Sequence, residues 1–250
     1  MRVGFQIWVV GALLWAASLN AYSLEHIRIR CPELIKRLRV VSGGETIDRN
    51  FLKSLERSYY LTRQRYLVPD EREAFIRRML RSVDPAQPRR QLALHYGLTA
   101  EESMALTQYV HWSFDVNAAL WGSFQNKRLL RDVDVYVDRL KSALQKLPSY
   151  RGLVKRTLFV DEVSDDFKVG TKVKFTAFTS TTPRMNYRNR SRVQMIIRSR
   201  FAGKYIDDVT VDAGDREVLF PPDTEFLVKR VEGSKRHLKL KVFLEELPSR

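Results

Sequence analysis

The sequence has little cysteine, no glycine-rich nucleotide motif and few acidic residues relative to basic ones. Its single cysteine, Cys31, cannot form an intrachain disulfide. The dinucleotide fingerprint GxGxxG is absent, so a Rossmann dehydrogenase is not supported. Acids number 29 against 44 lysines and arginines, which gives a formal net charge of +15. A surplus of that size indicates contact with nucleic acid, an acidic membrane surface or an anionic ligand, although it can also serve solubility.

The sequence also lacks an apolar run long enough to be a typical membrane span, which needs about 20 residues. Its apolar start, Phe5 to Leu19, follows the basic Arg2 and precedes a small-residue cleavage site at Ala21. We therefore predict a signal peptide over residues 1 to about 22 and a secreted or periplasmic protein without stable membrane insertion. An uncleaved single anchor is the alternative.

The first part of the remaining chain is basic and mostly helical, and residues 23–97 are predicted to form a basic helical N-terminal extension. Pro69-Asp70-Glu71 has the composition of a first helical turn, because proline suits that position and acids suit the positive helix end. Asp84-Pro85 ends this helix, and Pro85 to Arg90 is predicted to be a linker. No motif for chemistry lies here. The basic residues are expected to form a solvated face, or else a partner surface.

Two further helices are predicted before Pro148. Thr99 and Glu102 form a capping box, and the helix that they open is expected to continue to Leu120. Asn117 stands in an otherwise apolar part of it, and we expect it to make a buried hydrogen bond to a neighbouring loop. The second helix is predicted over about Asp132–Lys146, with its apolar residues on one face.

After Pro148 the hydrophobic period changes from that of a helix to that of a strand. About seven short strands are predicted: Leu153–Val160, Thr171–Thr179, Val193–Arg200, Tyr205–Val211, Glu217–Phe220, Glu225–Val231 and Leu238–Leu244. Because the helices come first and the strands follow, the sequence predicts an α+β fold rather than a doubly wound sheet.

A charged residue interrupts the first predicted strand. Alternation along that strand places Arg156 on the more apolar face, together with Val154 and Leu158. A charge among aliphatic side chains is unfavourable without a partner. Arg156 therefore either extends to solvent at the strand edge or binds an anion.

Two polar runs follow in the strand region. The first is Phe178-Thr179-Ser180-Thr181-Thr182, a series of hydroxyl side chains where a strand should end, and it could equally be an ordinary polar loop. The second lies between Arg184 and Arg192 and contains four arginines among asparagines and serines. Guanidinium groups suit phosphate, so this loop either binds phosphate or is merely solvated.

Two carboxylates, Asp215 and Glu217, stand before a short strand that Pro221 and Pro222 end. Side chains two residues apart on a strand point the same way, so these carboxylates are expected to share a face. Taken alone, that spacing favours a solvated acidic strand end.

Each of these features alone is weak evidence of function, but their order along the chain is specific. A strand arginine, then Phe-x-Ser-Thr-Thr, then acid-x-Glu followed by Val-Leu-Phe-Pro-Pro resembles the mono-ADP-ribosyltransferases of the Arg–Ser–Glu type. This family includes bacterial exoenzymes and toxins and arginine-modifying vertebrate ectoenzymes. The resemblance covers roughly residues 98–246 and implies a catalytic domain over residues 98–250. It implies a mostly antiparallel, two-sheet β core, NAD as substrate, no metal, a target protein as partner and a role as toxin or effector.

The resemblance also implies roles for individual residues. Arg156 would pair with the NAD phosphates, and Ser180 would orient Glu217 and help to hold the nicotinamide ribose. Glu217 would bind the ribose 2′-hydroxyl and stabilise the cation that develops as nicotinamide leaves. Thr157, which follows Arg156, and Thr181, which follows Ser180, would add contacts to NAD.

The sequence departs from the family pattern at three positions. The residue after the strand arginine is often glycine and here is Thr157, and the hydroxyl motif usually ends in serine and here ends in Thr182. The first acid of the Glu-x-Glu pair is Asp215. Arg151 also lies in a Tyr-Arg-Gly sequence that imitates the strand motif. The Gly-x-Val-x-Arg spacing favours Arg156, because it lies inside the predicted strand.

The first acid of the pair bears on the acceptor of ADP-ribose. In the family, glutamate at that position accompanies arginine as acceptor, and glutamine accompanies other acceptors. Asp215 keeps the charge on a shorter side chain, so arginine is favoured. The loop from Val211 to Gly214 would contact the target, and the basic composition leaves nucleic acid open as an acceptor.

Two other functions compete with this hypothesis. The chain could be an NAD glycohydrolase, with water as the acceptor. It could instead be a non-catalytic secreted basic protein that binds nucleic acid or another anionic surface. The last alternative explains the net charge of +15 but not the three ordered motifs.

Overall fold

The structure is a computed structural model, and it describes residues 37–38, 45–55, 69–111, 113–121, 127–158, 167–186, 193–211, 214, 216–234 and 239–248. The predicted signal peptide lies outside the described residues. Helices come first: α1 (Pro69–Val83), α2 (Pro88–His95), α3 (Ala100–His111), α4 (Phe114–Leu120) and α5 (Lys127–Lys146). Residues 49–55 are also helical, and the Asp48 carboxylate caps them by accepting the Asn50 N–H at 2.9 Å. None of the helices among the described residues is long and apolar enough to cross a membrane.

Two sheets follow the helices. Their strands are β1 (Gly152–Leu158), β2 (Lys172–Phe175), β3 (Thr179–Thr181), β4 (Val193–Ser199), β5 (Lys204–Tyr205), β6 (Val218–Phe220), β7 (Thr224–Ser234) and β8 (Lys239–Glu246). The larger sheet has the order β1-β4-β8-β7-β2, and the smaller has the order β3-β6-β5. The β4–β8 pair is parallel and the other pairs are antiparallel. The predicted α+β class with a mostly antiparallel, two-sheet core is confirmed.

Helix α3 is central to the helical layer, and residues 101–109 are all buried. The capping box at its start is present as predicted. Thr99 Oγ1 accepts the Glu102 N–H at 3.2 Å, and Glu102 Oε2 accepts the Thr99 N–H at 2.8 Å. The Lys146 ammonium, at the end of α5, donates to the same Glu102 oxygen at 2.7 Å. These bonds fix the start of the helix whose other end reaches the candidate site.

The described part of residues 23–97 packs directly onto α3. Glu45 Oε2 accepts the Ala100 N–H at 2.6 Å, and Glu45 Oε1 pairs with the buried Arg90 guanidinium at 2.5 Å. Phe51 and Met79 belong to the same hydrophobic core as α3 and α5. The position at which the catalytic domain begins stays a prediction.

Strand β6 separates two cores, and this decides which way its side chains point. Leu219 lies in the core shared with the helices, whereas Val218 and Phe220 lie in the core between the sheets. This alternation is expected of a strand with both faces covered. The helical side of β6 is the side on which the candidate site lies.

The predicted helix from Thr99 to Leu120 is wrong in one respect, because it is two helices. Helix α3 ends at His111, and α4 begins at Phe114 after Ser113 in the N-cap position. Ser113 makes no side-chain capping hydrogen bond, so the second helix begins without a capped first turn. The predicted linker Pro85–Arg90 also differs, because its last three residues open α2 with Pro88 in the first turn.

Two predicted strands also differ from the structure. The predicted strand Thr171–Thr179 is divided into β2 and β3, which belong to different sheets. Of the predicted strand Tyr205–Val211, only Tyr205 lies in β5, and the following residues form a turn. Alternating composition does not reveal where a chain crosses from one sheet to another, which explains both errors.

Candidate active site

Strand β3 and the start of β6 bring together Ser180 and Glu217, the second acid of the pair. Ser180 pairs with Leu219, and Thr181 pairs with Val218, so Glu217 lies diagonally across from Ser180. Glu217 is 8% exposed, and Ser180 is half-buried. A carboxylate this deeply placed is not a solvated strand end, so the alternative that the spacing had favoured is wrong.

A tyrosine of α3 joins this pair from the helical side. The Tyr109 hydroxyl lies 3.2 Å from Ser180 Oγ, and it accepts a hydrogen bond from Asn117 Nδ2 at 3.1 Å. Tyr109 is 1% exposed, so its own hydroxyl hydrogen needs an acceptor inside the protein. Ser180 Oγ, 3.2 Å away, is in position to accept it. The Ser180 hydrogen is then directed away from Tyr109.

The charge state of Tyr109 follows from its surroundings. Burial first, and the Glu217 carboxylate second, raise the pKa of the Tyr109 phenol well above its ordinary value. Tyr109 is therefore neutral at physiological pH and remains a hydrogen-bond donor.

Strand β1 brings the arginine to the other side of Ser180. An antiparallel bridge joins Lys155 and Thr182, with backbone hydrogen bonds of 2.7 and 2.8 Å. Next to it, Arg156 Nη1 donates to the Ser180 carbonyl oxygen at 3.1 Å. Arg156 is half-buried, and no acid among the described residues forms an ion pair with it. A half-buried guanidinium with several N–H groups left is suited to an anion.

The structure does not group the two predicted threonines, Thr157 and Thr181, with the residues of the candidate site. Thr181 is 5% exposed, and its hydroxyl donates to the Val218 carbonyl oxygen at 2.6 Å, on the opposite face of β3 from Ser180. Thr157 is half-buried near the end of β1, where it pairs with Gln194 of β4. Arg151 is exposed in the loop before β1.

Asp215 lies outside the described residues, so the expectation that it shares a face with Glu217 stays a prediction. Arg216, the residue before Glu217, has a φ of 52°, in the left-handed region rather than the extended region of a strand. In the arginine loop, Arg184 is exposed and residues 187–192 lie outside the described residues.

Nothing in the sequence indicated Tyr109 as a partner of Ser180, and the partner predicted for Asn117 is wrong. Asn117 makes a buried hydrogen bond, as expected, but to Tyr109 on the preceding helix rather than to a loop. Along one straight helix, residues eight positions apart would be separated by about 12 Å. The break between α3 and α4 is what allows their side chains to meet.

Two backbone hydrogen bonds fix the position of Glu217. Its N–H donates to the Asp207 carboxylate at 3.1 Å, and its carbonyl oxygen accepts the Ile206 N–H at 3.0 Å. Nothing in the sequence indicated this use of Asp207, because the two residues are separated by a loop. The described residues contain no group of three or more His, Cys, Asp or Glu side chains able to hold a metal ion.

One protein-family model matches the chain. The family model described as ADP-ribosyltransferase exoenzyme matches residues 86–247. No curated protein sequence matches the chain.

Solved structures share the fold at low sequence identity. The type III effector XopAI from Xanthomonas axonopodis pv. citri is 21% identical with a TM-score of 0.63, covering 87% of this chain and 91% of that one. The C3 exoenzyme of Clostridium limosum is 15% identical with a TM-score of 0.50, covering 64% and 93%. An ADP-ribosyltransferase from Clostridium botulinum is 15% identical with a TM-score of 0.51, covering 62% and 91%.

The family match covers more than half of the chain and includes all the residues of the candidate site. The structure brings together the strand arginine, the serine and the glutamate that the resemblance singled out. The chain belongs to the ADP-ribosyltransferase exoenzyme family.

Proposed function

We propose that this protein is an NAD-dependent mono-ADP-ribosyltransferase that modifies a protein side chain, with arginine as the favoured acceptor, and that it acts as a toxin or effector. Family membership supports the use of NAD and the transfer of ADP-ribose. The observation that carries the proposal is the meeting of Arg156, Tyr109 and Glu217 around Ser180, where β1, α3 and β6 converge on β3.

In the proposed reaction, the bond between nicotinamide and ribose breaks, and nicotinamide leaves with the electron pair. Positive charge then develops on the ribose, and Glu217 stabilises it while binding the 2′-hydroxyl. A contact that strengthens as charge develops lowers the barrier rather than merely binding substrate. The nucleophile of the acceptor adds to the ribose carbon and loses a proton.

The other residues orient NAD. Arg156 binds its phosphates through the guanidinium donors that Ser180 leaves available. Ser180 receives the Tyr109 hydrogen bond, so its own hydrogen is directed toward Glu217 and the nicotinamide ribose. Asn117 supports this arrangement by donating to Tyr109.

The experiment that tests the proposal measures nicotinamide release from NAD with and without agmatine, a small guanidine that mimics the arginine side chain. Agmatine is expected to form an ADP-ribose adduct, detectable by mass spectrometry. Nicotinamide release with free ADP-ribose as the sole product would indicate the NAD glycohydrolase alternative. No nicotinamide release would refute the enzyme and favour a basic binding protein.

In the same assay, Asp215→Asn is expected to reduce transfer to agmatine and to leave hydrolysis by water largely intact. The reason is that Asp215 is assigned to the acceptor, whereas Glu217 is assigned to the ribose. Asp215→Glu, which restores the family's residue, should keep transfer. If Asp215→Asn loses hydrolysis as fully as Glu217→Gln does, this division of roles is wrong.

We further propose that the protein is exported, on the strength of the signal-like segment over residues 1 to about 22. The mature chain should then begin near Tyr22. N-terminal sequencing of protein from the culture medium or periplasm measures this. An intact Met1 end in a membrane fraction would instead indicate an uncleaved anchor.

A further inference from the structure

The loop between β5 and β6 closes on the backbone of Glu217. Leaving β5, Ile206 donates its N–H to the Glu217 carbonyl oxygen at 3.0 Å. The next residue, Asp207, accepts the Glu217 N–H on Oδ1 at 3.1 Å. Asp207 is 7% exposed and Glu217 is 8% exposed, so both are buried at the base of this loop.

The N–H of Glu217 needs this carboxylate because of the residue before it. Arg216, with its φ of 52°, turns the chain before β6 begins at Val218. The Glu217 N–H therefore lies outside the strand ladder. A buried N–H without an acceptor is unfavourable, and Asp207 Oδ1 supplies the acceptor.

An arginine from the helical layer holds the turn that carries Asp207. Arg89, at the start of α2, donates Nη1 to the Asp207 carbonyl oxygen at 2.7 Å and to the Thr210 carbonyl oxygen as well. Within the turn, Thr210 Oγ1 donates to the Ile206 carbonyl oxygen at 3.0 Å. Ile206 and Val209 pack into the core shared with the helices. The turn is therefore anchored by side chain, backbone and core contacts.

We propose that Asp207 is a positioning residue for Glu217, and that Arg89 keeps Asp207 in place. The inference rests on the proposed catalytic role of Glu217. Asp207 does not touch NAD in this scheme, and it acts by fixing the peptide from which the Glu217 carboxylate extends. Displacing a catalytic group by about 1 Å can lower a rate about 100-fold. Arg89 lies in the predicted N-terminal extension, so that stretch takes part in the active site indirectly.

Two substitutions of Asp207 separate its hydrogen bond from its charge. Asp207→Ala removes the acceptor and is expected to lower kcat for nicotinamide release about 100-fold with little change in KM for NAD. Asp207→Asn keeps an acceptor oxygen in the same place and should stay close to wild type. Unchanged kcat in Asp207→Ala overturns the proposal. So does an equal loss in both variants, which would make the charge of Asp207 the cause.

A second measurement needs no activity. Hydrogen–deuterium exchange of the Glu217 amide should be slow in the wild type and faster in Asp207→Ala, while the Leu219 amide, in the centre of β6, should keep its rate. An unchanged Glu217 amide, or equal acceleration of both amides, overturns the proposal. If the wild type releases no nicotinamide, the proposed function fails, and the exchange experiment still decides the role of Asp207.

If Asp207→Ala does not fold, Arg89→Met carries the same test, because it removes both carbonyl contacts and keeps most of the side-chain volume. It should lower kcat with KM for NAD little changed and speed exchange of the Glu217 amide. Arg77→Met, at an exposed position on α1, is the matched control and should do neither. Equal behaviour of Arg89→Met and Arg77→Met overturns the part assigned to Arg89.

Discussion

Glu217→Gln is expected to lower nicotinamide release and ADP-ribose transfer together, by about 10²–10³-fold, which is the usual loss for one strong electrostatic contact to a transition state. Glutamine keeps the shape of the side chain but carries no charge to stabilise the ribose cation. Both products depend on that cation, so neither should be spared. The Glu217 backbone contacts to Ile206 and Asp207 do not involve the side chain, so the fold should persist.

The measurement is kcat for nicotinamide release with and without agmatine, on a variant whose circular dichroism and unfolding temperature match the wild type. Glu225→Gln is a suitable control, because Glu225 is an exposed acid on β7. It makes the same chemical change away from the site and should leave the rate unchanged. A fully active Glu217→Gln would refute the assigned mechanism.

Arg156→Ala should weaken NAD binding more than any other single change in the sheets. A hydrogen bond to a charged group contributes about 1.5–3 kcal/mol. Its loss raises the dissociation constant about 10-fold to 150-fold. The expected change is in the affinity for NAD, because Arg156 is assigned to the phosphates and not to the reacting bond. Isothermal titration or fluorescence quenching with NAD measures it directly.

Two matched variants sharpen this test. Arg151→Ala removes an exposed arginine in the loop before β1 and should have little effect on NAD affinity. Arg156→Lys keeps the positive charge but loses the planar, forked donors, so its affinity should lie between those of wild type and Arg156→Ala. If Arg151→Ala weakens binding and Arg156→Ala does not, the assignment of the phosphate ligand is wrong.

Local interactions account for what could be predicted about the fold. The capping box of Thr99 and Glu102 joins residues three positions apart, so its geometry follows from the sequence pattern alone. The change of hydrophobic period after Pro148 indicated the α+β class for the same reason. The predicted limits of several elements were less accurate. For residues 171–179, the alternating pattern is the same whether the residues form one strand or two strands in different sheets.

The candidate site was also predictable only in part. The order of Arg156, Ser180 and Glu217 along the chain was sufficient to suggest the family, and the family match bears that out. Their distances depend on how β1, β3 and β6 lie beside one another. The composition of one segment does not show which distant segment it pairs with.

By itself, the sequence determined the class of fold and the family, because both rest on short-range patterns and on motifs that occur in a certain order. Only the tertiary structure decided what surrounds Glu217. Tyr109 meets Ser180 because the helical layer packs on β3 and β6, and it meets Asn117 because α3 ends before α4 begins. Asp207 accepts the Glu217 N–H from 10 positions away in the sequence, and Arg89 binds the Asp207 carbonyl oxygen from 118 positions away. Such contacts arise from the burial of shared apolar surfaces, which acts between elements regardless of their separation along the chain.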